Sequence, residues 1–325
     1  MAGLAASGLA EIVGVADTSD EAARAAAESV GASHVRHSLE ELLSLDLDGV
    51  VIATPSAQHA SQTKAALEHG CAVFCQKPLG RDRREVEEVV SVARRANRLL
   101  GVDFSYRCAD GLGKIRALLE RGALGHVYTA DLVFHNAYGP DKPWFYDRRL
   151  SGGGCVIDLG VHLVDLALWM FGSGVTDVSS RLFSGGRPWA PGGADVEDYA
   201  AVRLDFENGA TAQIACSWRL PAGRDAIIDA AFYGTRGAAR WRNVNGSFYD
   251  FVAERLDGTN TARISEPPDD WGPRAIVNWA RCLRSGGAFD SDIERVIDVS
   301  RVLDCVYATS TLRPASAAAA HSEVR

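Results

Sequence analysis

Residues 49–78 read GVVIATPSAQHASQTKAALEHGCAVFCQKP. Two short apolar runs, GVVIAT at 49–54 and CAVFC at 71–75, flank a segment at 58–69 whose composition suits a helix. Neither run alternates polar with apolar residues, so each is expected to be a strand buried on both faces. Pro55 closes the first run and Gly70 stops the helix. A helix of ten or more residues between two such strands gives the chain room to cross over, which predicts that they run parallel.

The same rhythm continues on either side. Residues 11–17 (EIVGVAD) read as a strand, 20–30 as an Ala-rich helix ended by Gly31, and 39–45 as a short helix. Downstream, 82–98 reads as a helix with Asp82 as its N-cap, and 100–106 as another strand. The expected fold class is therefore α/β, with a Rossmann-like, doubly wound parallel sheet over residues 1–106. Beyond 106 the pattern changes. Helices are expected at 112–121 and 156–171, and strands at 127–136, 175–183, 199–206, 210–220, 226–233, 238–242 and 247–252. Asn208-Gly209 is a hairpin signal between two of them. This predicts an α+β unit over 107–289 with a large, mostly antiparallel open sheet. Closing helices are expected at 271–283 and 292–312, with 290–312 packing back on the first unit, and 313–325 is expected to fray.

Composition narrows the function. The chain has 325 residues, 34 Lys+Arg against 42 Asp+Glu, and a formal net charge of −8. That balance speaks against a nucleic-acid partner. The apolar stretches are shorter than ten residues and the first basic residue is Arg24, so neither a membrane span nor a secretory leader is expected. Seven cysteines include no C-x-x-C pair, which suits reduced thiols in a cytoplasm and no zinc site. No metal is expected.

In an open parallel sheet, ligands bind beyond the carboxyl ends of the strands. Asp17 ends the first strand; an acidic residue there suits the ribose hydroxyls of a dinucleotide, or else caps the following turn. Thr54 and Pro55 end the next strand, with His59 just beyond; a turn proline and a surface histidine are the plain alternative. Gln76-Lys77-Pro78 ends the third, and Pro78 biases Lys77 toward an extended backbone. The other informative stretch is SGGGCVIDLGVHLVDLALWMFG at 151–172. At about 100° per residue, Asp158, His162, Asp165 and Trp169 share one stripe on an otherwise apolar helix, about 60° wide. Ionisable groups in such a setting pair or face a solvated cleft. Asp158 and His162, four residues apart, are expected to hydrogen-bond, orienting an imidazole for general acid/base work or holding a structural pair. Gly152, Gly153 and Gly154 either permit a close approach or form a flexible lead-in.

In this order and spacing, GVAD ending at Asp17, VVIATPSAQHA, QKP and GGG-x3-D-x-G-x-H-x2-D resemble the glucose-fructose oxidoreductase / inositol dehydrogenase (Gfo/Idh/MocA) family over essentially the whole chain. The resemblance implies an NAD(P)-dependent oxidoreductase that moves a hydride between nicotinamide and a hydroxyl or keto carbon of a sugar, cyclitol or related polyol. NAD is favoured over NADP, because the Asp17 charge disfavours a 2′-phosphate. It implies Lys77, His162 and Asp158 as catalytic residues. Asp17, Thr54, Pro55, His59, Gln76 and Lys77 would hold the cofactor. Asp158 and His162 would bind substrate, with Arg107, Trp144 and Tyr146 as further pocket candidates. It also implies a homodimer or homotetramer through the C-terminal sheet.

Two features depart from the family pattern. Gln76 stands where the family has Glu, which removes a charge beside Lys77. No G-x-G-x-x-G precedes Asp17, and residues 1–8 read as the end of the helix that would follow that loop. The first strand and phosphate loop are thus missing from the expected domain. Three readings follow: an enzyme whose chain starts late, a cofactor-deficient homologue serving as a binding or scaffold protein, or an NAD-dependent glycoside-cleaving relative. For the 325-residue chain, weak or no NAD binding is expected. Isothermal titration calorimetry tests this, and micromolar affinity would overturn it.

Overall fold

A computed structural model describes residues 1–310 apart from 192 and 194, so the tail expected at 313–325 lies outside the described residues. The N-terminal part runs α1 (Ala2–Ala6), β1 (Gly14–Ala16), α2 (Asp20–Val30), β2 (His34–Arg36), α3 (Leu39–Leu43), β3 (Gly49–Ile52), α4 (Ser56–Glu68), β4 (Ala72–Cys75), α5 (Arg83–Ala96) and β5 (Leu100–Val102). All strand pairs here are parallel, as the crossover argument requires. Helix ends follow local chemistry. The Asp82 side chain accepts from Glu85 N at 2.8 Å to start α5, and Gly31, at φ 71°, ends α2. β2 was not expected; at three residues it is too short to show a period.

The parallel strands form two separate sheets, β1-β2 and β3-β4-β5. β1 and β3 are not hydrogen-bonded to each other, and β4 alone is buried at every residue. Leu4 of α1 packs with Ala72 and Phe74 of β4 and with Trp279.

The second part is one nine-stranded sheet. It comprises α6 (Asp110–Glu120), β6 (Val127–Asn136), α7 (Arg148–Ser151), a π turn (Val156–Gly160), α8 (Val161–Phe171), β7 (Val175–Ser184), β8 (Arg187–Pro188), β9 (Tyr199–Phe206), β10 (Thr211–Ser217), β11 (Ala226–Gly234), β12 (Gly237–Asn243), β13 (Phe251–Asp257) and β14 (Asn260–Ser265). The strand order is β14-β13-β12-β11-β6-β10-β9-β7-β8. Every neighbouring pair is antiparallel except β10 with β6. The strand expected at 247–252 instead begins at Phe251, because Ser247 closes a turn on Val244 and caps the backbone of Tyr249 and Asp250. β14 was not foreseen; its largely exposed, polar sequence NTARIS carries no burial signal.

α8 lays Leu163, Val164, Leu166, Ala167 and Met170 on Leu132, Phe134, Leu204 and Ile214 of the sheet. With α7 and the π turn it completes a helical run, Arg148–Phe171, long and apolar enough by length and composition to cross a membrane, contrary to the reading of short apolar stretches. In its most apolar window 78% is buried inside the fold, as in a core helix. Two helices close the chain, α9 (Arg274–Arg284) and α10 (Arg295–Thr309). α10 packs Val296 into the core around β3 and β4, and Val299, Val302, Leu303 and Val306 into the core of the large sheet.

α9 covers the outer face of the parallel strands through Trp279, which is 8% exposed and meets Phe74 at a centroid distance of 5.8 Å. A Cβ on Gly49 or Gly101 would come within 2.7 or 2.9 Å of that indole, so both strands are shaped to receive it. Trp279→Ala should cost about 3–5 kcal/mol, read by urea denaturation. A loss within about 0.5 kcal/mol, as at a surface site, would show that α9 does not hold the strands.

Candidate active site

The turns after β3 and β4 meet the π turn around a cavity of about 210 Å³. Thr54, Gln76 and Lys77 come from the strand ends, Ser151, Gly153 and Asp158 from the helical run, and Trp144 and Phe145 close one side. The cavity therefore lies beyond the carboxyl ends of parallel strands, where such sheets bind ligands. The rings of Trp144 and Phe145 stack at 3.8 Å.

Across this cavity Lys77 and Asp158 form an ion pair, Nζ to Oδ1 at 2.7 Å, with side chains 17% and 18% exposed. Lys77 Nζ also donates to the Asp158 carbonyl at 2.6 Å. The second carboxylate oxygen, Oδ2, accepts from the Trp218 indole N–H at 3.1 Å. Both carboxylate oxygens are thus engaged, and the lysine at the end of β4 is tied to the π turn of the other unit.

That arrangement corrects the expected Asp158–His162 bond. A straight α-helix would put the two on one stripe; here Asp158 lies in a π turn and its carboxylate is taken by Lys77 and Trp218 instead. His162 lies against the rings of Tyr106 and Phe134, at 4.9 and 6.4 Å, and is not among the cavity-lining residues. Among the described residues no side chain hydrogen-bonds its imidazole. Burial, with the Lys77 ammonium adding to it, holds its pKa well below the ordinary value. His162 is therefore a neutral imidazole beside an ammonium.

Arg107 is also placed differently from expectation. Its guanidinium forks onto the fully buried carboxylate of Asp165, Nε to Oδ2 at 2.8 Å and Nη2 to Oδ1, and lies over the rings of Phe104 and Trp169. A buried carboxylate requires such a partner, so Arg107 is held behind α8 instead of on the cavity wall. Tyr146 donates its hydroxyl to the Pro140 carbonyl at 2.9 Å and packs on Trp218, also outside the wall.

The cofactor candidates divide similarly. His59, 2% exposed, sets Nδ1 2.6 Å from the Pro78 carbonyl and Nε2 2.6 Å from the Thr54 carbonyl. It bridges the turn after β3 to the turn after β4. Its two carbonyl partners favour the imidazolium, but burial outweighs them and lowers its pKa. Thr54 Oγ1 donates to Gln62 Oε1 at 2.7 Å, and Pro55 begins α4. Gln76 Nε2 donates to Asp103 Oδ2 at 2.5 Å. Asp17 is exposed at the end of β1 and accepts from Ser19 N at 2.8 Å, so it makes the local turn contact that was its alternative reading.

Three members of this neighbourhood were not foreseen: Trp218, Asp103 and Glu197. Each stands at a strand end, far in sequence from the residue it serves, with no spacing to mark it. Glycines 152–154 prove to be packing requirements. Cβ atoms on Gly153 and Gly154 would fall 1.9 Å from the Tyr307 hydroxyl and the Glu197 carbonyl.

Comparison with known proteins places this geometry in a family. Residues 2–104 match the oxidoreductase family with an NAD-binding Rossmann fold, and residues 112–240 match the GFO/IDH/MocA C-terminal domain. D-glucoside 3-dehydrogenase of Escherichia coli (strain K12) is 30% identical over 241 residues, 70% of this chain and 69% of that protein. D-apiose dehydrogenase of Paraburkholderia graminis is 29% identical over 292 residues, 86% and 75% of the two chains. Among solved structures, an oxidoreductase domain protein from Kribbella flavida superposes with a TM-score of 0.80 at 25% identity, covering 92% of this chain and 88% of its own. A levoglucosan dehydrogenase in complex with NADH and levoglucosan shares the fold, with a TM-score of 0.80 at 21% identity and coverage of 95% and 93%. The chain belongs to the Gfo/Idh/MocA family of oxidoreductases.

The His162 environment sets a pH test. Its folded pKa lies below 6.5 and its unfolded value near it. The neutral form is thus favoured in the folded state, and this contribution to stability is complete above pH 6.5 and lost as pH falls toward the folded pKa. NMR titration of the His162 ring protons should give a midpoint below 6.5; one at or above it would refute the neutral assignment.

Proposed function

We propose that this chain is an NAD-dependent dehydrogenase or reductase acting on a hydroxyl or keto carbon of a sugar, cyclitol or related polyol. The observation that carries the reading is the Lys77–Asp158 pair on the wall of a cavity beyond the β3 and β4 ends. The family supports it, since relatives such as D-glucoside 3-dehydrogenase and inositol 2-dehydrogenase are named for oxidations of this kind.

The residues fit a nicotinamide cofactor by their donor chemistry. Thr54, Gln76 and Lys77 offer a hydroxyl, an amide and an ammonium at adjoining parallel strand ends, with His59 fixing the two turns. These residues, with Pro55 and Asp17, would hold it, and the Asp17 carboxylate favours NAD over NADP. When bound, nicotinamide supplies the hydride acceptor or donor. Lys77, a cation held by Asp158, stabilises negative charge developing on the substrate oxygen. The proton acceptor in oxidation, and donor in reduction, on this reading is neutral His162, which lies behind the cavity lining near Lys77. Trp144 offers a flat apolar surface to the ring of the substrate. Arg107 and Tyr146 support the pocket from behind, through Asp165 and Trp218. Self-association through the large sheet is part of the same reading. It is supported by the alternation of β6, where Asp131, Val133 and His135 stay exposed or half-buried opposite buried Leu132 and Phe134.

The test is a panel of sugars and cyclitols with NAD and NADP, following absorbance of the reduced cofactor. On a substrate so found, Lys77→Ala and His162→Ala should each lower kcat by about 10²–10⁴-fold with little change in NAD affinity. Unchanged kcat would remove the residue from the chemistry, and no turnover across the panel with cofactor bound would sink the reading.

A further inference from the structure

The π turn that carries Asp158 begins without a side-chain cap of its own. Cys155, at the N-cap position of the π turn, makes no side-chain capping bond. The first N–H groups of a helix have no partner within it and must find one elsewhere. Here all three at the start go to a single distant residue. Glu197, fully buried just before β9, accepts at Oε1 from Gly154 N at 2.9 Å and from Val156 N at 3.0 Å. Its backbone carbonyl accepts from Cys155 N at 3.0 Å. Tyr307 of α10 donates its hydroxyl to the same Oε1 at 2.8 Å.

We propose that Glu197 is a positioning residue for the Lys77–Asp158 pair, a cap supplied from the large sheet that fixes the turn from which Asp158 projects. The path is short. Asp158 N donates to the Gly154 carbonyl at 3.1 Å, so the peptides gripped by Glu197 are the ones that place the Asp158 backbone. Lys77 reads that backbone directly, through its 2.6 Å bond to the Asp158 carbonyl. A misplaced turn therefore costs Lys77 two acceptors at once. Gly154 is matched to the arrangement, because any Cβ there would strike the Glu197 carbonyl at 1.9 Å. Tyr307 adds a second hold on the carboxylate from α10, the helix that packs on both cores. Glu197 itself is not among the cavity-lining residues, so it acts only through the turn.

The inference rests on the reading that Lys77 and Asp158 do the chemistry, but its test does not require a substrate. The chain has four lysines, Lys64, Lys77, Lys114 and Lys142. Competitive labelling with a trace of acetic anhydride, read by mass spectrometry, compares Lys77 with exposed Lys114 and Lys142 as internal references. In the wild type, Lys77 should label slowly, being held by Asp158. Glu197→Ala should raise Lys77 labelling several-fold relative to the references, whereas Glu197→Gln, which keeps the acceptor oxygen, should stay near wild type. Glu197→Asp, one methylene too short to reach both N–H groups, should fall on the side of Glu197→Ala and serves if the alanine variant does not fold. Once a substrate is known, Glu197→Ala should lower kcat by up to about 100-fold with KM little changed. Unchanged Lys77 labelling in a folded Glu197→Ala or Glu197→Asp, or equal release by Glu197→Gln, would overturn the proposal. A labelling shift with no turnover on any sugar would leave the cap standing and remove the sugar-dehydrogenase reading instead.

Discussion

The ion pair between Lys77 and Asp158 is the constraint around which the two parts of the chain are arranged. Each partner is mostly withdrawn from water, and each would be costly to leave alone there. The lysine comes from the end of β4 in the parallel part, and the aspartate from the π turn that lies on the nine-stranded sheet. The pair can exist only if the two parts are held in one register. α10 supplies that register by packing Val296 into one core and Val302 and Val306 into the other. A charge pair of this kind contributes little net stability after desolvation. Its effect is to specify geometry, and that is the property a reacting oxygen requires of an ammonium.

The π turn solves a conflict between packing and chemistry. A regular helix over 156–171 would keep its apolar residues on the sheet but would align Asp158 with His162 and Asp165. Asp158 lies in the π turn, whereas His162 and Asp165 lie in the regular coil of α8, and the three meet different partners. Asp158 goes to Lys77 and Trp218, Asp165 goes to Arg107, and His162 is left without a hydrogen-bonding side chain among the described residues. Three ionisable groups close in sequence thereby acquire different electrostatic roles. Burial raises the pKa of Asp165 against the pull of Arg107, while burial and Lys77 lower that of His162.

Much of this was legible in the residues. Apolar runs without alternation marked the parallel strands, and caps such as Asp82 and Gly31 marked helix ends, because both signals are local. Lys77 and the GGG-x3-D-x-G-x-H pattern stand out through the family resemblance, since a lone loop lysine carries no local signal of its own. What escaped was set by contacts distant in sequence. The π turn is capped by a residue 41 positions downstream of Val156, and nothing in the local sequence VIDLG announces it. Arg107 reads as a pocket candidate from its place just past the last parallel strand, because its true partner Asp165 lies 58 residues away. Trp218 is one aromatic among many in the sequence, and only the fold brings its indole N–H onto Asp158.

Gln76 shows how such a distant contact alters the meaning of a motif. Read alone, glutamine where the family has glutamate deprives Lys77 of a neighbouring carboxylate. In the fold, Gln76 donates its amide to Asp103, which follows β5 on the adjacent strand. A carboxylate therefore still stands next to the Gln76 position, one strand over. Burial raises the Asp103 pKa, while Gln76 and then Lys77 pull it back. The amide of glutamine makes this contact favourable, whereas a glutamate at 76 would set two carboxylates face to face and favour a proton between them. The substitution at 76 and the aspartate at 103 are thus one electrostatic unit, and the lysine they border keeps an acidic neighbour from β5 as well as its partner on the π turn.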